Sequence, residues 1–212
     1  MEHKVHLEKV LPHEIEKRSF EIIAEEIGNR RLEPLQEPII KRVIHTTADF
    51  DYLDNLCFSG QAVELLQKAI KEGACIVTDT QMAKAGINKG ALAKYGGEVY
   101  CFMSDEDVAK EAGKNGTTRA VASMDKAALL EKDIIFAIGN APTALVRLYE
   151  LIEEKKLCPR GIIGVPVGFV NVVEAKELIM RTECPYIVAK GRKGGSNVAA
   201  AICNALLYAM ET

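Results

Sequence analysis

The sequence predicts an α/β protein with a doubly wound, mostly parallel sheet of about five strands and helices on both faces. Short β-branched runs alternate with segments whose apolar residues recur at three-and-four spacing. The runs are continuously apolar, which is typical of parallel strands covered on both sides. No repeat, low-complexity tract or Pro/Gly-rich linker divides the 212 residues. We therefore expect a single domain over 1–212.

The elements follow from local signals. The predicted strands are 75–78, 99–103, 134–138, 162–165 and 186–188. The predicted helices are 14–29, one opened by Pro38, 61–71 capped by Ser59, 143–154 opened by Pro142, and 197–210. We expect the N-terminal helices within 14–47 to pack on the rest of the domain.

Composition excludes several classes of protein. A net charge of −3 without a long Lys/Arg run disfavours nucleic-acid binding. Charged residues interrupt every apolar stretch before the roughly 18 residues of a membrane span, so no membrane partner is expected. Six separated cysteines without a CxxC pair indicate free thiols, and the N-terminus lacks the apolar core of a secretory signal. A cytoplasmic location is therefore predicted.

Polar, charged or glycine residues follow successive predicted strands. Asp79, Asp105, Asn140, Gly168 and Arg192 each come at or soon after the end of a strand. Ligands of open α/β sheets bind outside the carboxyl ends of the strands, so the binding site is expected at this edge.

The clearest candidate for a binding loop is Gly191-Arg192-Lys193-Gly194-Gly195-Ser196, between a strand and the last helix. Glycines let backbone amides converge at a helix N-terminus, and Arg192 can form bidentate bonds to a carboxylate or phosphate. The alternative is a tight turn with solvated cations. A Walker GxxxxGK[ST] pattern is absent from the sequence.

His45 is the first candidate for proton chemistry, because the other three histidines lie in the first 13 residues. Imidazole exchanges protons near neutrality, and Asp49, one helical turn on, can orient it. Alternatively His45 is a half-buried packing residue and Asp49 caps the following segment.

Two further residues are candidates for binding anions. Arg119 follows a turn and can bind a second anion, although a lone arginine is also a common surface residue. Asn140 lies in a strand-to-helix turn whose amides need partners. No GxGxxG fingerprint, nucleophile elbow or cluster of His/Cys ligands is present, so neither a nucleotide cofactor nor a protein-bound metal is expected.

Taken in order, several segments resemble the precorrin-8X and cobalt-precorrin-8 methylmutase family over residues 15–206. The segments that carry the resemblance are Arg42-Val-Ile-His45, Ala48-Asp-Phe-Asp51, Phe58-Ser59, Gly116-x-Thr-Arg119, Ala137-Ile-Gly-Asn-Ala-Pro-Thr-Ala-Leu145, Gly164-Val-Pro-Val-Gly-Phe-Val170, Pro185-Tyr-Ile187 and Gly191-Arg-x-Gly-Gly-Ser196. The stretch 171–175 departs from the family pattern, where smaller residues are expected.

The resemblance implies an isomerase of cobalamin biosynthesis that shifts a methyl group from C11 to C12 of a corrin precursor without an external donor or cofactor. It implies that His45 is the proton donor and that the protein is a homodimer. The residues then expected to bind the corrinoid polycarboxylate are Asp49, Arg119, Asn140, Arg192, Lys193, Gly194, Gly195 and Ser196. Two other functions fit the anion sites: a non-catalytic carrier of anionic tetrapyrroles, and an α/β enzyme acting on a phosphorylated sugar.

Overall fold

A computed structural model describes residues 8–210 of the chain, so His3, His6 and most of the segment considered for export lie outside the described part. The strands are β1 Leu56–Phe58, β2 Cys75–Thr78, β3 Val99–Tyr100, β4 Ile134–Ile138, β5 Gly161–Gly164 and β6 Tyr186–Ala189. The α-helices are α1 Ile15–Ile27, α2 Glu37–Thr47, α3 Tyr52–Asn55, α4 Ala62–Lys71, α5 Gln81–Gly86, α6 Lys89–Ala93, α7 Glu106–Asn115, α8 Arg119–Ala128, α9 Pro142–Glu153, α10 Val172–Met180 and α11 Ser196–Tyr208, and the 3-10 turn Pro12–Glu14 precedes them.

The six strands form one sheet in the order β1-β6-β5-β4-β2-β3. Every neighbouring pair from β6 to β3 is parallel, and only β1, at the edge, is antiparallel to its neighbour. The chain first moves outward from β2 to β3, then returns to pair β4 with β2. This reversal places a topological switch point between β2 and β4, where ligands of doubly wound sheets commonly bind.

Helices cover both faces of the sheet, as predicted. In β4, Ile135 and Ala137 pack in one apolar cluster, and Ile134, Phe136 and Ile138 pack in another. The first cluster contains side chains of α2, α4 and α11, and the second contains side chains of α8, α9 and α10. Both clusters are buried, which explains why the strands are continuously apolar in sequence.

The edge strand β1 was not predicted, and it changes the role of Ser59. Ser59 does not cap α4, because its hydroxyl accepts a hydrogen bond from the backbone N–H of Tyr186 at 2.9 Å. Its own backbone N–H donates to the carbonyl of Tyr186 at 3.0 Å. Ser59 therefore continues the pairing of β1 with β6, and α4 begins without a side-chain cap.

Helix α2 is held on the body of the protein by α11. The two helices pack along one another, and α1 packs on α2. The buried residues of α2 include Val43 and Ile44, immediately before His45. Over residues 8–210, no helix combines the length and the apolar character needed to cross a membrane.

Candidate functional site

The carboxyl edge of the sheet is organised by a buried carboxylate at the switch point. Asp79, directly after β2, is fully buried. One of its oxygens accepts the N–H of Gly139 at 2.9 Å, and the other accepts those of Asn140 and Ala141 at 2.8 and 2.6 Å. These amides belong to the turn between β4 and α9. A single side chain therefore ties the ends of two neighbouring strands together.

This arrangement identifies what satisfies the amides of the turn before Pro142. Burial raises the pKa of Asp79, and the three amide hydrogen bonds act in the opposite direction. In many nucleotide-binding proteins such amides bind the phosphate groups of the ligand. Here an internal carboxylate takes that role, so the turn presents no free amide cradle from Gly139 to Ala141.

The predicted binding loop 191–196 fits closely against the neighbouring strand ends. The N–H of Gly195 donates to the carbonyl of Val165 at 2.9 Å, and the hydroxyls of Ser196 and Thr80 are 2.8 Å apart. A Cβ atom added to Gly139 would stand 2.7 Å from the Cα of Ser196. Glycine is required at this position for the two loops to approach each other, and the loop lies over the switch point.

Two predicted site residues, Lys193 and Asp49, are brought together. The ammonium of Lys193 lies 2.6 Å from a carboxylate oxygen of Asp49 and 2.6 Å from one of Asp51. The hydrogen bond from Lys193 lowers the pKa of Asp49, and the two carboxylates raise the pKa of Lys193. This contact joins the end of α2 to the 191–196 loop.

His45 lies in the last turn of α2 with an exposed side chain. Its ring stacks on Phe20 of α1, with centroids 5.1 Å apart. Within residues 8–210 the imidazole makes no hydrogen bond, and Asp49 binds Lys193 instead of orienting it. Asp49 also accepts the N–H of Asp51 at 3.0 Å, but α3, the helix that follows, begins without a side-chain cap. His45 is therefore accessible rather than enclosed in the core.

The remaining predicted binding side chains, Arg119, Asn140 and Arg192, are also exposed. Arg119 is the first residue of α8, and the hydroxyls of its neighbour Thr118 and of Thr143 in α9 are 3.2 Å apart. The side chain of Asn140, three residues before Thr143, is also exposed. The guanidinium of Arg192 lies 5.6 Å from the ring centre of Phe169. In the described part of the chain, neither arginine pairs with a carboxylate, so both are available to an anionic ligand.

One residue of this edge was missed at the level of sequence. Lys176 of α10 is only 1% exposed, and its ammonium donates to the carbonyls of Gly191 and Lys193 at 2.8 Å each. Burial lowers the pKa of Lys176 to about 8. The available signal was its spacing, since Val172, Ala175 and Ile179 define the buried face of the helix on which it lies.

Residues 8–210 contain no group of three or more His, Cys, Asp or Glu side chains placed to hold a metal ion. The chemistry of the edge is instead that of exposed guanidinium and imidazole groups beside glycine-rich loops. Such groups suit a ligand that carries several carboxylates.

The fold and this edge define a doubly wound α/β protein with exposed arginines beside its glycine-rich loops. The family model described as precorrin-8X methylmutase matches residues 14–209. The cobalt-precorrin-8 methylmutase of Salmonella typhimurium is 51% identical over 203 residues, covering 93% of this chain and 95% of that protein. Its namesake from Priestia megaterium is 46% identical over 197 residues, covering 93% and 88%. The solved precorrin-8x methyl mutase of Thermus thermophilus superposes with a TM-score of 0.84 at 40% identity, covering 92% and 96%.

The chain belongs to the precorrin-8X methylmutase family. It is therefore an isomerase of corrin biosynthesis, and the resemblance seen in the sequence is confirmed. Membership of this family decides against the carrier and the sugar-phosphate enzyme. The roles of the individual site residues stay predictions.

Replacing Asp79 with Asn is expected to destabilise the protein by about 2 kcal/mol, because the new amide group faces a backbone N–H and leaves it unsatisfied. Urea unfolding measures this loss. Asp54→Asn is the matched control, since Asp54 forms an exposed ion pair with Arg30, and such pairs contribute at most about 1 kcal/mol. Equal stability of Asp79→Asn and the wild type would show that the carboxylate does not hold the turn.

Proposed function

We propose that this enzyme moves a methyl group from C11 to C12 of cobalt-precorrin-8, with His45 as the proton donor. The observation that carries the proposal is the contact of Lys193 with Asp49 and Asp51. It joins the end of the helix that bears an exposed imidazole to the loop that bears Arg192. His45, the proposed acid, and Arg192, the proposed binding group for carboxylates, thus belong to two segments that are in contact.

The proposed chemistry needs one proton transfer and firm positioning. Protonation by His45 makes the conjugated macrocycle electron-poor, which favours migration of the methyl group. The reaction is an isomerisation, so the proton must be returned to the imidazole before the next turnover. A placed general acid typically contributes about 10² to 10⁴ in rate. The protein must supply the rest by holding the flexible macrocycle in one conformation.

Recognition is assigned to the exposed cations. In this proposal Arg119 and Arg192 bind carboxylate arms of the substrate, each contact contributing roughly 1.5 to 3 kcal/mol. Asn140 and the segment Gly194–Ser196 supply polar and backbone contacts around them. Lys193 and Asp49 act as a pair, because each already neutralises part of the other's charge.

Cobalt in the substrate is supported by the named relatives. Both proteins at 51% and 46% identity are cobalt-precorrin-8 methylmutases, whereas the solved relative at 40% identity is called a precorrin-8x methyl mutase. We therefore assign the cobalt-containing substrate to this chain.

We also propose a homodimer with the subunit contact beside the site. The loop between β5 and α10 exposes three apolar side chains, Val167, Phe169 and Val170, by 48%, 81% and 77%. Exposed apolar residues grouped on one loop are typical of an interaction surface. A second copy of the chain covers this loop in the proposed dimer.

His45→Ala is expected to lower kcat at least about a hundredfold while substrate binding is retained, because only the acid is removed. The absorption change of the corrinoid during turnover measures the rate. His13→Ala is the control, since His13 is exposed in the turn before α1. Unchanged turnover in His45→Ala would exclude His45 as the proton donor.

The assignment of the metal is tested by offering both substrates to the wild-type enzyme. We expect kcat/KM to be at least about tenfold higher for cobalt-precorrin-8 than for metal-free precorrin-8, a difference of about 1.4 kcal/mol in transition-state stabilisation. Equal or faster turnover of the metal-free compound would contradict the assignment.

The dimer is tested by sedimentation of the wild type and of Phe169→Ser combined with Val170→Ser. Loss of two buried apolar side chains is expected to raise the dissociation constant at least about a hundredfold. Leu129→Ser is the matched control, because Leu129 is equally exposed, by 82%, at the end of α8. A wild-type protein that sediments as a monomer, or a variant that dimerises normally, would overturn this interface.

A further inference from the structure

Lys176 of α10 occupies a position where the pattern of the helix predicts an apolar residue. Lys176 lies on the face of α10 formed by Val172, Ala175 and Ile179, and all four side chains are buried. Transfer of an ammonium group from water into such a place is unfavourable unless the group is hydrogen-bonded. A leucine or methionine would fill the same position at no electrostatic cost. The charge therefore calls for an explanation in what it contacts.

The ammonium of Lys176 reaches across to the 191–196 loop. It donates to the carbonyl of Gly191 and to that of Lys193, each at 2.8 Å. The carbonyl of Arg192, between them, accepts the N–H of Gly168 at 3.1 Å. Three successive carbonyls of the loop thus each accept a hydrogen bond from another segment. Two of these three hydrogen bonds come from one buried side chain.

The loop needs such anchors because its backbone is intrinsically permissive. Gly191, Gly194 and Gly195 have φ values of +75°, +157° and +143°. Glycine populates these regions as readily as others, so without anchors the loop has many conformations of similar energy. The side chain of Arg192 is exposed. The hydrogen bonds that fix the loop backbone therefore decide where this side chain can lie.

We propose that Lys176 is a positioning residue for substrate binding, which holds the carbonyls on either side of Arg192 and so presents its guanidinium to a carboxylate of the substrate. This proposal rests on the proposed function of Arg192. Lys176 itself is buried and does not contact the substrate. It acts by raising the fraction of molecules whose loop is already in the conformation that binds.

The protonation state of Lys176 is compatible with this role. With a pKa lowered to about 8 by burial, the side chain is mostly an ammonium at pH 7. Hydrogen bonds from a charged donor are shorter and stronger than those from a neutral one. The group therefore holds two carbonyl oxygens with more strength than a neutral amide of similar size.

The test is Lys176→Met, which keeps the length and apolar stem of the side chain and removes the donor. If the loop adopts its binding conformation about one tenth of the time in this variant, the Kd for the cobalt-containing product of the proposed reaction rises about tenfold. At saturating substrate kcat changes little, because bound molecules all have the ordered loop. Lys68→Met, on the exposed surface of α4, is the matched control and leaves both constants unchanged.

Two further measurements separate positioning from a general effect on the fold. Amide hydrogen exchange of residues 190–196 is expected to accelerate at least about tenfold in Lys176→Met, while the strands keep their protection. In an Arg192→Ala background, Lys176→Met is expected to add no further loss of binding, because Lys176 acts through Arg192. An additive loss would overturn the proposal.

The outcomes distinguish this proposal from the proposed function. If the wild type does not bind the cobalt-containing product, the assignment of the substrate fails, and the exchange experiment still decides whether Lys176 orders the loop. If the wild type binds and Lys176→Met binds equally well, the positioning role is wrong. Should Lys176→Met fail to fold, Lys176→Gln retains a donor without charge, and an intermediate Kd is expected; a wild-type Kd would contradict the role.

Discussion

The site depends on the close approach of two backbones at Gly194 and Val165. A Cβ atom added to Gly194 would stand 2.1 Å from the carbonyl oxygen of Val165, so only glycine allows the 191–196 loop to lie where it does. The N–H of Gly195 bonds the same carbonyl. This contact fixes the positions from which the side chains of Arg192 and Lys193 extend, and the position at which α11 begins. A loop displaced from Val165 would separate Lys193 from Asp49.

The charged groups of the sheet edge, apart from Lys193 and its partners Asp49 and Asp51, divide into two kinds. Asp79 and Lys176 are buried, and both are used to hold backbone groups of neighbouring loops. Arg119 and Arg192 are exposed and have no carboxylate partner within residues 8–210. Burial makes an ionic hydrogen bond strong and a lost partner costly, which suits a structural role. Exposure leaves a guanidinium free to exchange water for a ligand carboxylate.

Much of the architecture could be predicted, and the failures have physical causes. The five parallel strands were predicted because burial on both faces demands continuous apolar runs. Strand β1 was missed because it has only three residues, which pair with one neighbour, and two of them are partly exposed. The end of β3 was misplaced, since the strand stops at Tyr100. The pairing of Asp49 with Lys193 joins residues 144 positions apart, a separation that no local pattern records.

The sequence by itself determined the fold class and the family, and it predicted which edge of the sheet bears the site. Apolar periodicity, the positions of glycine and the order of short motifs are local properties, and a reader of the chain can see them directly. Only the tertiary structure decided which charged groups bind partners within the protein and which face solvent. Asp79, Lys176 and Lys193 find their partners on distant segments, and whether an ionic group is buried or exposed depends on packing that the linear order of residues does not contain.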